Sequence, residues 1–359
     1  MKMKFIKYLI GLYLFCFLGG GIFPLLGKDL LFLKPLRRKW ERKLPAGEVK
    51  IPKPKVAFLF QEVSPKSPLG QKAKKIENHK SIKEFLQYFL QIHKALKTFS
   101  RPWQPIPIVF SGHNGVSFCI FQPYLILESS NPFRMGPVIY LSKQTILTLQ
   151  TGALPIRTLV HEMGHAFMGQ FFQISQAKLP VSAEYGIALI AGEGHWRNKK
   201  TDPVFAWIEG WAEYCDLHYN ASPKYGFPYL KRNLSTITIT EGAIADLLYY
   251  LDIHSGIPKF HSQALFVIAK KQPIHIHGFF KAYFQIFPEE KKIILETISR
   301  AAQNKWFWQE NYHFPHLLKD SKDNWKRFQR LLEGRIKAFM EDFFQTENWK
   351  LFGRELFKS

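Results

Sequence analysis

The sequence predicts an α+β fold, in which a small β-sheet and a histidine-bearing helix are followed by a mainly helical C-terminal portion. Three short segments rich in β-branched and aromatic residues, at 105–111, 116–121 and 137–141, predict the strands. Apolar residues at helical spacing predict helices before and after these segments. With 359 residues, of which 46% are hydrophobic, the chain is long enough for one or two globular domains.

The N-terminus combines basic residues with an apolar segment. Three lysines precede a stretch at 8–27 that is long enough to span a bilayer. The glycines at 19–21 would also suit the cleavage zone of a signal peptide. The basic stretch at 28–43 disfavours passage across the membrane, and it therefore favours an uncleaved anchor over 1–27. An exported form stays open, and so does the side of the membrane that the rest of the chain faces.

The overall charge of the chain indicates which kinds of partner it favours. A formal net charge of +22 favours anionic partners such as an anionic membrane surface. No nucleic-acid recognition motif accompanies this charge, and we therefore expect no nucleic-acid partner. Three cysteines do not make a disulfide framework, and Cys119 and Cys215 are predicted to be small buried residues.

The chain behind the apolar segment divides by composition. Repeated Pro and Lys at 28–75 predict a basic juxtamembrane connector. The segment from Ser81 to Leu96 carries apolar residues at helical spacing and predicts an amphipathic helix. Beyond the predicted strands, Glu241 opens an apolar helix, and Phe- and Trp-rich helical patterns follow it.

The most informative stretch is His161-Glu162-Met163-Gly164-His165. On a helix, residues four apart share one face, so both imidazoles can bind one metal ion. Glu162 then lies beside the open metal position, where it can take a proton from water and pass it to a leaving amine. Apolar flanks predict that this helix is buried. Gly164 costs about 1 kcal/mol relative to Ala within a helix, which predicts the close approach of a strand or a ligand there.

A second apolar helix, predicted at 205–216, offers a third ligand. It places Glu209, Glu213 and Asp216 on one face at steps of four and three. Like charges at this spacing repel one another, unless they face a cation. We therefore expect Glu209 to bind the metal. Glu213 is expected to accept a hydrogen bond from the outer nitrogen of a ligand histidine.

The segments TLVHEMGHAF and WIEGWAEY together resemble the gluzincins, which are zinc peptidases with two motif histidines and a distal glutamate. Glu-Gly-x-Ala-Glu-Tyr is most similar to the aminopeptidase-N-like branch of the MA peptidase clan. The resemblance implies a zincin-like catalytic domain with one Zn²⁺ per chain and a peptide or protein substrate. It implies His161, His165 and Glu209 as metal ligands, Glu162 as general base and Glu213 as the acid that orients a ligand histidine.

The resemblance also divides the chain. It implies a catalytic domain at 76–253 and a helical C-terminal portion at 254–359. In zinc peptidases of this class, a strand such as 137–141 lies along the cleft and can pair with an extended substrate. Candidates for stabilising the oxyanion opposite the zinc are Tyr249, Tyr250 and His254.

The chain departs from the aminopeptidase-N-like pattern. The family spacing would place the third ligand at Glu184, which therefore rivals Glu209, while Glu241 and Asp246 are further alternatives. An insertion near 175–202 lies between the two motifs, and it is either a substrate-selecting loop or a surface excursion. The Gly-x-Met-Glu-Asn segment that anchors a substrate's free amine in aminopeptidases is missing, so exopeptidase specificity is not supported.

Two other functions remain as alternatives to a zinc peptidase. One is a non-catalytic, membrane-associated binding protein that keeps a zincin fold and its metal. The intact Glu162 argues against it, because binding alone does not need that carboxylate. The other is a helical membrane protein without metal, in which the motif arises by chance. Metal analysis tests the second alternative, and a peptide digest tests the first.

Overall fold

The computed structural model describes residues 29–35, 59–96, 105–112, 116–120, 124–127, 133–134, 137–149, 154–171 and 197–309. The predicted anchor or signal peptide at 1–27 lies outside these ranges, and membrane association stays a prediction. In the described ranges, no helix is both long enough and apolar enough to cross a membrane.

The chain has an α+β fold, as its sequence predicts. Its strands form one mixed sheet with the order β4-β7-β3-β1-β2-β5-β6. β1 is parallel to β3, β3 to β7 and β2 to β5, whereas the β1–β2, β4–β7 and β5–β6 pairs are antiparallel. The strands are β1 (Leu30–Pro35), β2 (Leu59–Glu62), β3 (Ile106–Val109), β4 (Phe118–Ile120), β5 (Tyr124–Leu127), β6 (Phe133–Arg134) and β7 (Val138–Tyr140).

The prediction of a connector at 28–75 is wrong. β1 and β2 lie inside the sheet, and Leu30 of β1 pairs with Ile106 of β3. A helix at Pro68–Asn78 follows, and the Ser67 side chain caps it by accepting a hydrogen bond from the Gly70 amide at 3.0 Å. Both strands are only four to six residues long and lie among Lys- and Pro-rich stretches, so the composition of the whole stretch gives no sign of them.

The described chain also forms ten helices, the last of which ends at Ala301. Two short 3₁₀ segments, Leu234–Ile239 and Pro288–Glu290, lie between helices. The helices are α1 (Pro68–Asn78), α2 (Lys80–Ala95), α3 (Lys143–Thr148), α4 (Leu154–Phe171), α5 (Pro203–Asn220), α6 (Pro228–Arg232), α7 (Glu241–His254), α8 (Phe260–Lys271), α9 (Ile276–Ile286) and α10 (Lys291–Ala301). We call α4 the motif helix and α5 the acidic helix.

Helix α2 confirms the predicted amphipathic segment. Its buried face includes Phe85 and Phe89, and the Phe89 ring centroid lies 5.1 Å from that of Phe167 on the motif helix. Phe85 also meets Phe167 edge-on, with centroids 6.4 Å apart. This aromatic contact holds the motif helix from the side that carries no histidine, and it contributes burial of large rings to the core.

The described part of the C-terminal portion is helical, as predicted, and it shares the core of the preceding helices. Helix α8 packs against α2, α4 and α7. Trp207 of the acidic helix donates from its indole nitrogen to the carbonyl of Pro273 at 2.7 Å, and its ring lies 5.1 Å from that of Phe279 on α9. The helices beyond His254 therefore support the acidic helix directly.

Candidate metal centre

The motif helix and the acidic helix form because apolar residues cover most of their surfaces. Leu159, Val160, Ala166 and Phe167 on the motif helix are fully buried. The acidic helix begins at Pro203, and the Asp202 side chain caps it by accepting from the Val204 amide at 2.8 Å. Each helix thus carries a few polar side chains into a buried interface, where they need partners.

Three polar side chains converge between these helices. The Nε2 atoms of His161 and His165 lie 3.1 Å apart, and Glu209 Oε2 lies 3.4 Å from the first and 3.3 Å from the second. Ligands about 2.0–2.2 Å from a tetrahedral zinc ion are separated from one another by about 3.3–3.6 Å. The three atoms therefore lie close to three corners of such a tetrahedron. In the described chain, they form the one group of His, Cys, Asp or Glu side chains with this convergence.

The charges around His161 favour a cation at this position. Burial lowers the pKa of His161, but a hydrogen bond to Glu209 and the charges of Glu213 and Glu162 outweigh burial and raise the pKa to about 10. The group consequently attracts positive charge, which either a proton or a metal ion can supply.

Glu213 lies beside the outer nitrogen of His161, and its role as the hydrogen-bond acceptor of that nitrogen stays a prediction. Its Oε1 atom lies 3.6 Å from His161 Nδ1, which is slightly longer than a hydrogen bond. Its Oε2 atom forms an ion pair with the guanidinium of Arg197. Arg197 lies in the stretch that the sequence indicated only as the end of an insertion, and its contact with the acidic helix was not foreseen.

Asp216 lies on the same face of the acidic helix as Glu209 and Glu213. Its carboxylate binds an arginine, and it is not one of the three converging residues. Its two oxygens accept three hydrogen bonds from the guanidinium of Arg157, at 2.6 to 3.1 Å. Asn220 adds a bond to the same carboxylate at 3.1 Å. Arg157 lies one turn before His161, so this ion pair fixes the alignment of the two helices one turn away from the candidate ligands.

The two helices cross at small residues. A Cβ atom added at Gly164 would lie 2.9 Å from the Ala212 Cα and 3.3 Å from the Cys215 Sγ. On the other side of the acidic helix, a Cβ at Gly210 would lie 2.8 Å from the Ile244 Cβ. The prediction of a strand or ligand beside Gly164 is therefore wrong, because the close neighbour is the backbone of another helix.

This crossing gives a testable prediction. Gly164→Ala should lower the free energy of unfolding by roughly 1–3 kcal/mol, because the added methyl group meets backbone that cannot move aside alone. Chemical denaturation of the purified protein measures this change. Gly226→Ala is the matched control, because a Cβ there meets nothing within 4 Å, and it should change stability by no more than about 0.5 kcal/mol. Equal effects of the two substitutions would contradict the close crossing.

Glu162 is buried, with 5% of its surface exposed, and it lies near the sheet edge. Burial, together with the charges of Glu162 and Glu209, raises the pKa of the Cys119 thiol well above its usual value. Cys119 belongs to β4, so both glutamates lie within electrostatic range of this strand. Cys119 and Cys215 are buried, as predicted.

Two neighbouring strands, β4 and β7, pack against the motif helix. The predicted substrate-pairing strand at 137–141 corresponds to β7, whose two neighbours in the sheet are β3 and β4. Because both of its edges are occupied, β7 cannot pair with a further strand, and this prediction is wrong. β4 stands at the end of the strand order, pairs with β7 alone among the described strands and packs against the motif helix.

The alternative third ligands differ in their surroundings. Asp246 accepts hydrogen bonds from the Tyr225 hydroxyl at 2.6 Å and from the amides of Tyr229 and Leu230 at 2.8 and 3.0 Å. Its carboxylate is therefore engaged in holding α6. Glu241 is buried at the start of α7 and, like Asp246, lies outside the converging group. Glu184 lies outside the described residues.

The predicted oxyanion stabilisers pack on aromatic neighbours. The Tyr249 ring lies 5.7 Å from that of Tyr225. The Tyr250 ring lies 5.1 Å from Phe227 and 4.4 Å from His254. These contacts explain the position of each ring through packing, and the proposed role in catalysis stays a prediction for all three.

Comparisons with protein-family models, with curated proteins and with solved structures give no match to this chain.

Proposed function

We propose that this protein is a gluzincin-like zinc peptidase with a zincin-like catalytic domain. The observation that carries the proposal is the triangle of His161 Nε2, His165 Nε2 and Glu209 Oε2, with edges of 3.1 to 3.4 Å. Two imidazoles and one carboxylate are the ligand set of many catalytic zinc sites, which leave a fourth position open. The spacing of the three atoms suits a zinc ion without rearrangement of either helix.

A zinc ion bound there would supply Lewis acidity, which polarises a peptide carbonyl and acidifies water. Glu162 precedes Met163 and follows His161 on the motif helix, so its carboxylate belongs to the same turn as a ligand. We assign Glu162 the transfer of a proton from the attacking water to the leaving amine. Its burial excludes bulk water from the carboxylate and strengthens its charge interactions.

The edge strand β4 supports a peptide as the substrate. Its register to β7 pairs Phe118 with Tyr140 and Cys119 with Ile139, which leaves the other edge of β4 facing away from the described strands. An extended peptide can add to such an edge through main-chain hydrogen bonds. A backbone bound at β4 would pass along the motif helix, within electrostatic range of Glu162.

Metal content and hydrolysis test the proposal together. Purified full-length protein should contain about one zinc ion per chain, measured by elemental analysis against protein concentration. It should cleave members of a peptide library, lose that activity in a chelator and regain it when zinc is restored. Protein without metal, or with iron in place of zinc, would overturn the proposed zinc centre. Bound zinc without cleavage would favour the non-catalytic binding protein instead.

A further inference from the structure

We propose that Arg197 is a positioning residue of the metal centre, which acts through Glu213 on the ligand His161; this inference rests on the zinc site proposed above. Arg197 is not itself one of the three converging residues. Its guanidinium pairs with Glu213 Oε2, and Glu213 Oε1 faces His161 Nδ1 at 3.6 Å. Arg197 is therefore connected to the candidate ligand His161 through the carboxylate of Glu213.

The backbone and the side chain of Arg197 are both held in place. The Arg197 carbonyl accepts a hydrogen bond from the Gly242 amide at 3.0 Å, at the start of α7. A Cβ at Gly242 would lie 2.6 Å from that carbonyl oxygen, so the two backbones touch. The Arg197 guanidinium carbon lies 5.9 Å from the centre of the Tyr229 ring, which is within the range of a cation–π contact. These contacts hold Arg197 in place, and its guanidinium in turn holds the Glu213 carboxylate.

The effect on His161 follows from the two oxygens of Glu213. When Arg197 binds one oxygen, the rotation of the carboxylate is restricted, and the other oxygen stays directed at Nδ1 of the imidazole. A proton on Nδ1 leaves the lone pair of Nε2 for the metal, so the carboxylate selects the ring orientation and the tautomer that bind. Arg is suited to this task because its planar guanidinium is a rigid fork, whereas the ammonium of Lys is a point charge on a flexible stem.

The test uses the full-length protein and substitutions that leave the net charge unchanged. Arg197→Lys keeps the positive charge but removes the planar guanidinium. Lys199→Arg is the control, because it makes the reverse change at an exposed position of the same turn. The readout is the rate at which zinc passes from the protein to an excess of a chromogenic chelator. Arg197→Lys should release zinc about tenfold faster, at the lower end of the range for residues that support ligands. Lys199→Arg should leave the rate unchanged.

The same comparison in a Glu213→Gln background separates positioning from general loosening of the fold. If Arg197 acts through Glu213, Arg197→Lys should add less than a twofold increase in rate once Glu213 is replaced. Cobalt-loaded protein gives a second readout, because the visible absorption of cobalt reports distortion of its coordination. Far-UV circular dichroism of the metal-free variants checks that each is folded.

Each outcome decides between the alternatives. An unchanged zinc-release rate for folded Arg197→Lys would overturn the inference, and so would an equal acceleration with and without Glu213→Gln. Wild-type protein that binds no zinc would overturn both the metal centre and this inference. Zinc binding with the expected coupling, but without peptide cleavage, would support the inference and contradict only the proposed peptidase activity.

Discussion

Glu162→Gln should abolish peptide hydrolysis while zinc stays bound. The amide has nearly the shape of the carboxylate, so the buried position is filled, but it cannot accept the proton of an attacking water. Loss of general acid–base catalysis costs about 10²- to 10⁴-fold in rate. Initial rates on the library peptide that is cleaved best measure the loss, and elemental analysis of the same sample measures the zinc.

Glu77→Gln is the matched control for this substitution. It makes the same chemical change at an exposed position of α1, and it should leave both the rate and the zinc content unchanged. Full activity of Glu162→Gln would contradict the assignment of Glu162 as general base. Loss of zinc together with activity would show that Glu162 supports the metal and would leave its role in proton transfer unsupported.

Glu209→Ala should weaken zinc binding by more than about 100-fold, because it removes a proposed direct ligand, whereas supporting residues account for about 10- to 100-fold. His165→Ala should have a similar effect and also abolish hydrolysis. Competition with a chelator of known affinity measures both losses. Each effect follows from the ligand triangle, in which every atom lies within 3.4 Å of the other two.

Glu184→Ala is the decisive comparison, since the family spacing favours Glu184 as the third ligand. We expect it to retain zinc affinity within a fewfold of wild type. A larger loss for Glu184→Ala than for Glu209→Ala would reverse the assignment. An experimental structure with Glu184 within about 2.2 Å of the metal and Glu209 remote from it would reverse it as well.

The sequence predicted those elements whose signals are local. Helical periodicity identified α2, and short β-type segments identified β3, β4 and β7. Helical spacing placed His161 and His165 on one face of a helix, and it grouped Glu209 with two other acidic residues on a second helix. Each of these predictions depends on residues within a few turns of one another, where the chain geometry restricts the possible arrangements.

The remaining features depend on tertiary contacts. β1 and β2 are short, and their place in the sheet follows from pairing with strands far along the chain. Helical spacing places Asp216 on the same helix face as Glu209. Only the structure shows that the Asp216 carboxylate binds the guanidinium of Arg157. The edge position of β4 depends on the order of strands in the sheet, which no local pattern contains.

A zinc ion bound between the motif helix and the acidic helix, which cross at Gly164 and Ala212, would also affect the lifetime of the protein. The candidate ligands come from both helices, so a bound zinc ion would be a cross-link between segments that are distant in sequence. Zinc at a free concentration a thousandfold above its dissociation constant would add about 4 kcal/mol to the stability of the folded chain. Zinc starvation would then lower the stability of the folded chain as well as the proposed activity. It would expose the chain to cellular proteases, and the amount of protein present would follow the zinc supply.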